Sequence, residues 1–84
     1  MKAADIAGTT WLITGASAGF GRAIAEEVLA RGGRVVATAR KPQDLEPIVA
    51  IAPDRVAAAK LDVTSEADIA DCLELADERF GGVD

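Results

Sequence analysis

The stretch "TGASAGFG", Thr14 to Gly21, decides the fold of this chain. Three of its eight residues are glycine. Before it lies "TTWLIT", Thr9–Thr14, which is short, apolar and β-rich, as a strand should be. After it, Phe20–Arg31 places Ile24, Ala25, Val28 and Leu29 on one helical face, with Arg22, Glu26 and Glu27 elsewhere. A bare backbone at a strand-to-helix junction serves the close approach of something to the main chain.

The remaining elements follow from the same signals. Gly32–Gly33 stops the first helix. Arg34–Ala39, "RVVATA", reads as a second strand, and Pro42 suits the first turn of a helix running to about Ala50, which Pro53 then breaks. Val56–Leu61 is a third, alanine-rich strand. Thr64 or Ser65 caps a last helix. Ser65 with Asp68 places an acid where a capping box prefers Glu or Gln, and Thr64 with Ala67 fails the pattern. Ile69, Cys72, Leu73, Ala76 and Phe80 then recur at helical spacing until "FGG".

The order is βαβαβα. Parallel neighbours need crossover helices, so the sheet is expected to be parallel. Right-handed crossovers are expected to stack the strands 3-2-1 and leave the first strand with an open apolar edge. Trp11 on that strand reads as core packing rather than as a platform for a ligand.

Composition narrows the function. Eighty-four residues make at most one small domain, spanning 1–84. Half are hydrophobic, which excludes a disordered tail, and the net charge of −5 argues against a nucleic-acid surface. The start, "MKAADIAG", lacks the apolar stretch and cleavage pattern of a leader, and no run reaches membrane-spanning length. A cytoplasmic protein is expected. The single Cys72 supports neither a disulfide framework nor a metal site and is expected to be a buried, inert thiol.

In an open α/β sheet, ligands bind beyond the carboxyl ends of the strands, where this loop lies. The following helix begins there with unpaired N–H groups and the positive end of its dipole, which together favour phosphate. By analogy with dinucleotide folds, Gly15 lets the chain turn out of the strand. Gly19 lets phosphates come close, and Gly21 lets the helix pack against the sheet. The absence of G-K-[ST] argues against a P-loop.

These residues resemble a family. "TGASAGFG" matches the TGxxxGxG motif of the short-chain dehydrogenases/reductases, as do "WLITGASAGFGRAIAEEVLARGGRVVATAR", "LDVT" and "RFGGVD" around and after it. The likeness runs from about Thr9 to Asp84. It implies a Rossmann-type doubly wound parallel sheet, here stopping before a fourth strand that would dock beside the first. It also implies a cofactor-binding set that includes Gly15, Gly19, Phe20 and Gly21. Asp62 and Val63 of "LDVT" would contact adenine, although Asp62 also reads as a turn or capping acid.

Dinucleotide folds often place a ribose-binding carboxylate at the end of the second strand. Here that position is Ala39, followed by Arg40 and Lys41. A guanidinium can hold a 2′-phosphate that a carboxylate would repel, so NADP(H) is expected in preference to NAD. Relatives that prefer NADP often carry a second basic residue in the loop, where this chain has Ala18. Ser17 is expected to supply a hydroxyl instead.

The family's chemistry is hydride transfer between nicotinamide and an alcohol or carbonyl substrate, with the proton moved by a tyrosine that a lysine activates and a serine assists. This chain has no tyrosine and no histidine. No catalytic residue is therefore assigned, and the sequence looks like the amino-terminal part of a longer oxidoreductase whose oligomeric state stays open. Two alternatives are a stand-alone nucleotide-binding module without catalysis and an α/β interaction domain that binds no nucleotide.

Overall fold

The computed structural model describes residues 6–83; the leader reading of residues 1–5 and the final Asp84 of "RFGGVD" lie outside the described residues. Strand β1 is Thr10–Ile13, helix α1 Gly19–Ala30 and strand β2 Arg34–Ala39. A 3-10 turn, Pro42–Leu45, leads into the one-turn helix α2, Glu46–Val49. A second 3-10 turn, Pro53–Arg55, precedes strand β3, Val56–Lys60, and helix α3 is Glu66–Phe80.

All strand pairings are parallel. Thr10 pairs with Arg34 and Ile13 with Ala37, while Val35 pairs with Val56 and Ala39 with Lys60. The order is β1-β2-β3. This corrects the expected doubly wound 3-2-1 arrangement. The strands lie in chain order, because both crossovers advance the sheet by one neighbour in the same direction. A doubly wound order needs a connection that reverses past β1, and none occurs among the described residues.

The central strand is buried from Val35 to Ala39, as a strand covered on both faces should be. Successive side chains alternate between faces. On one face Ile13, Val35, Ala37, Ala39 and Val56 pack with Ala25, Val28 and Leu29 of α1, Leu45, and Ile48 of α2. Trp11 is half-buried against this cluster, and its Nε1 donates to Thr9 Oγ1 at 2.9 Å. Helix α3 contacts all three strands and stands outside that cluster. It buries Cys72 and Ala76, and the Cys72 thiol donates to the Lys60 carbonyl.

Three apolar positions depart from the expected core. Ile24, Ile69 and Leu73 are 41%, 38% and 48% exposed. They lie on the apolar stripes of α1 and α3, but the three-stranded sheet is too narrow to cover the full width of either stripe. The expected helix from Pro42 to Ala50 is also divided. Pro47 has no N–H and its ring crowds the carbonyl four residues earlier, so a continuous helix cannot pass through it. The helix restarts at Glu46, which places Pro47 in its first turn.

Arg55 fastens the frame. Its Nη1 donates to the Leu29 carbonyl at 3.0 Å and to the Gly33 carbonyl at 2.8 Å. A cation at the carboxyl end of α1 satisfies orphan carbonyls and complements the helix dipole. The turn before β3 thereby fixes where α1 ends and β2 begins.

Candidate cofactor-binding site

The carboxyl ends of β1, β2 and β3 open into a cavity of about 520 Å³. Thr14, Gly15 and Ser17 line it from the loop after β1, Ala39, Arg40, Lys41 and Asp44 from the segment after β2, and Leu61 and Val63 from the segment after β3. Of the residues expected from sequence, Gly15, Ser17, Arg40, Lys41 and Val63 therefore meet around one cavity. Gly19, Phe20 and Gly21 stand beside it at the start of α1, and Asp62 lies between two lining residues without itself lining the space.

Two bonds from Thr38 shape the loop. Its Oγ1 donates to the Ile13 carbonyl at 2.8 Å, and its own carbonyl accepts from the Ala16 N–H at 2.9 Å. The chain leaving β1 is thus held against β2 where the glycines begin. Gly19 has φ +59°, a left-handed conformation that disfavours any side chain, and a Cβ built there would meet open space. Gly21 has a different reason to be glycine. A Cβ there would sit 2.3 Å from the Gly15 carbonyl oxygen, so α1 can approach the loop this closely only without a side chain.

The two long helices begin differently. Ser65 caps α3: its Oγ accepts from the Asp68 N–H at 3.2 Å, while Asp68 Oδ2 accepts from the Asp62 N–H at 3.0 Å. Helix α1 starts after Ala18, with no side-chain cap and no acid in its first turn. The positive end of the α1 dipole thus faces the loop without a carboxylate from its own first turn to neutralise it. This start, with open space over Gly15 and Gly19, fits the phosphates of a dinucleotide.

Asp62 is a turn acid. Its Oδ1 accepts from the Thr64 hydroxyl at 2.6 Å and from the Thr64 N–H at 2.9 Å. Those bonds hold its carboxyl below the usual value, first the hydroxyl and then the amide; desolvation opposes them, and Arg40 and Lys60 add more weakly in the lowering direction. The carboxylate therefore remains ionised at neutral pH. Its turn role is the alternative that the sequence also offered.

Sequence reading missed Thr14, Asp44 and Leu61 as lining residues, and it placed Ala39 at the ribose position without naming it as a contact. Thr14 and Leu61 directly follow β1 and β3, and Ala39 ends β2, so these three could have been named from the rule that ligands bind beyond the carboxyl ends. Asp44 gave no such signal. The 3-10 turn brings it back toward the cavity, and its N–H donates to the Lys41 carbonyl at 3.0 Å.

The short chain dehydrogenase family model matches residues 9–84. The chain belongs to this family. It is 43% identical over 75 residues to oxidoreductase BOA17 of Botryotinia fuckeliana, covering 88% of this chain and 27% of that protein. Among solved structures, it superposes with TM-score 0.87 and 40% identity on a short-chain dehydrogenase/reductase from Brucella melitensis, covering 93% of this chain and 34% of that one. A 3-ketoacyl-(acyl-carrier-protein) reductase from the same organism, solved in complex with NADH, matches with TM-score 0.87 and 34% identity over 94% of this chain and 33% of its own. The chain thus spans about a third of the length of the relatives it matches and corresponds to their amino-terminal, cofactor-binding part. Nicotinamide-dinucleotide binding is the property it shares with the family. Among the described residues, no helix is long and apolar enough to cross a membrane, and no cluster of acids or cysteine could hold a metal.

Proposed function

We propose that this chain, as a single unit over 1–84, binds NADP(H) for a cytoplasmic oxidoreductase that moves hydride between nicotinamide and an alcohol or carbonyl carbon. The observation that carries the reading is the pairing of Arg40 and Lys41 on one cavity with the end of β2, where Ala39 stands in place of a carboxylate. In this reading Gly15, Ser17, Gly19, Phe20 and Gly21 hold the phosphates at the start of α1. Arg40 and Lys41 take the 2′-phosphate, and Asp62 and Val63 border the adenine. The cofactor supplies the hydride. This chain binds and orients it, and the proton transfer belongs to residues outside these 84, since the chain contains no tyrosine or histidine.

The one-sided pairing of β1 among the described residues favours a part of a larger protein over a stand-alone module, because an apolar strand with an open edge is covered in a stable domain. Cofactor titration of the full-length enzyme tests the reading. Arg40→Ala should weaken NADPH by about 1–2 kcal/mol, the scale of a charge-assisted bond reduced for exposure, and leave NADH nearly unchanged. Equal losses for both cofactors would remove Arg40 as the reader of the 2′-phosphate.

A further inference from the structure

Asp44 shares the cavity with Arg40 and Lys41, and the bond from its N–H to the Lys41 carbonyl closes the turn that joins them. It also lines an adjoining cavity of about 710 Å³ with Ser17, Ala18, Gln43, Glu46 and Pro47. Ser17 and Asp44 are the two residues common to both spaces, so they form the wall between them. Beyond that wall stands a second acid, Glu46, and no basic residue. The side of the cavity across from the glycine loop therefore carries charges of both signs: two cations directly after β2, then a carboxylate one turn later.

We propose that Asp44 is a second determinant of cofactor choice and works against Arg40 and Lys41. The proposal rests on the reading of this cavity as the dinucleotide site. A 2′-phosphate brings up to two negative charges into a space that already contains one carboxylate, whereas a 2′-hydroxyl brings none and can donate to that carboxylate. Asp44 thus penalises the phosphorylated cofactor and spares the other, which narrows the preference that the two cations create. Asp44 is exposed, so the repulsion is screened and its size is that of a surface charge pair.

The test uses the full-length enzyme with 2′,5′-ADP and 5′-AMP as probes, which differ by the 2′-phosphate. Calorimetric titration of wild type, Asp44→Asn, Asp44→Glu and Arg40→Ala gives the selectivity for the phosphorylated probe. Asp44→Asn should raise that selectivity roughly two- to fivefold at low salt, with the gain shrinking as salt rises. Asp44→Glu keeps the charge and should stay near wild type, which separates charge from packing. Selectivity unchanged or lowered in Asp44→Asn would overturn the proposal. If Arg40→Ala lowers selectivity while Asp44→Asn leaves it unchanged, the role of Asp44 fails and the NADP reading stands. If Arg40→Ala also changes nothing, or neither probe binds, both fail.

Discussion

The Thr38 hydroxyl donates to the Ile13 carbonyl at 2.8 Å, which ties the last residue of β1 to the buried carboxyl end of β2. Thr38 is wholly buried, and among the described residues no buried side-chain polar atom lacks a partner. Its carbonyl also holds Ala16, so one residue sets both ends of the turn into the glycine loop. Thr38→Val keeps the branched shape and removes the donor. It should cost about 1–3 kcal/mol, the range for leaving a buried polar group unsatisfied. Chemical denaturation of the full-length enzyme measures this loss, and cofactor affinity should fall with it because the loop is no longer fixed. A variant as stable as wild type would show that the bond is replaced locally.

Gly19 and Gly21 stand two residues apart and should respond differently to alanine. At Gly21 the new Cβ would meet the Gly15 and Thr14 backbone at 2.3–2.9 Å, and backbone cannot swing away as a side-chain tip can. Gly21→Ala should therefore destabilise by at least about 1–3 kcal/mol, as overpacking does, and displace α1 from the cavity. At Gly19 the Cβ has room, and the penalty is the left-handed backbone, on the order of 1–2 kcal/mol. Thermal unfolding of the pair in the full-length enzyme compares the two. Loss of cofactor binding at Gly19→Ala with only modest loss of stability would mark the space over that glycine as the phosphate's.

The pattern of agreement between sequence and structure has physical causes. β2 is read to the residue, because an apolar run buried on both faces sits between Gly33 and Arg40 and neither neighbour extends it. The cap of α3 was legible only as Thr64 or Ser65, since side-chain-to-backbone capping is local in sequence but two adjacent hydroxyls offer it, and the structure gives Ser65. The strand order was not legible: two equivalent crossovers produce chain order, and the expected reversal needs a third connection. Exposure of Ile24 and Leu73 was equally hidden. Helical spacing says which way a side chain faces but not whether anything covers it. Asp44 reaches the cavity through a turn forced by Pro42 and Pro47, which the apolar pattern does not encode.

Cys72 should stay inert near neutrality. Burial pushes its thiol above the usual value, and the carboxylates of Asp68 and Asp71 push it further. The folded state thus favours the protonated form. The sign follows: its contribution to stability is complete below the unfolded thiol's pKa, about 8.5, and is lost as pH rises through the higher folded value. A thiol reagent at pH 7.5 should label Cys72 of the full-length enzyme orders of magnitude more slowly than in urea, at a rate set by local opening of α3. Above pH 9 stability should fall, and Cys72→Ala should flatten that part of the profile. Rapid labelling at pH 7.5 without unfolding would contradict the burial.

The 84-residue chain on its own should self-associate. Among the described residues β1 is paired on one side only, by β2, and an apolar strand with an open edge recruits other chains. Leu73 on α3 and Ile24 on α1 add half-exposed apolar surface. A chain of this length buries only about 60–65% of its unfolded surface, which leaves little stability to resist exchange of strands between copies. Sedimentation velocity should therefore show dimers or larger species that grow with concentration. No dehydrogenase activity should accompany them with any alcohol or carbonyl, because the chain has neither a phenol nor an imidazole to move the proton. A monomeric 84-residue chain that unfolds cooperatively with several kcal/mol of stability would contradict this and would favour a self-contained nucleotide-binding module.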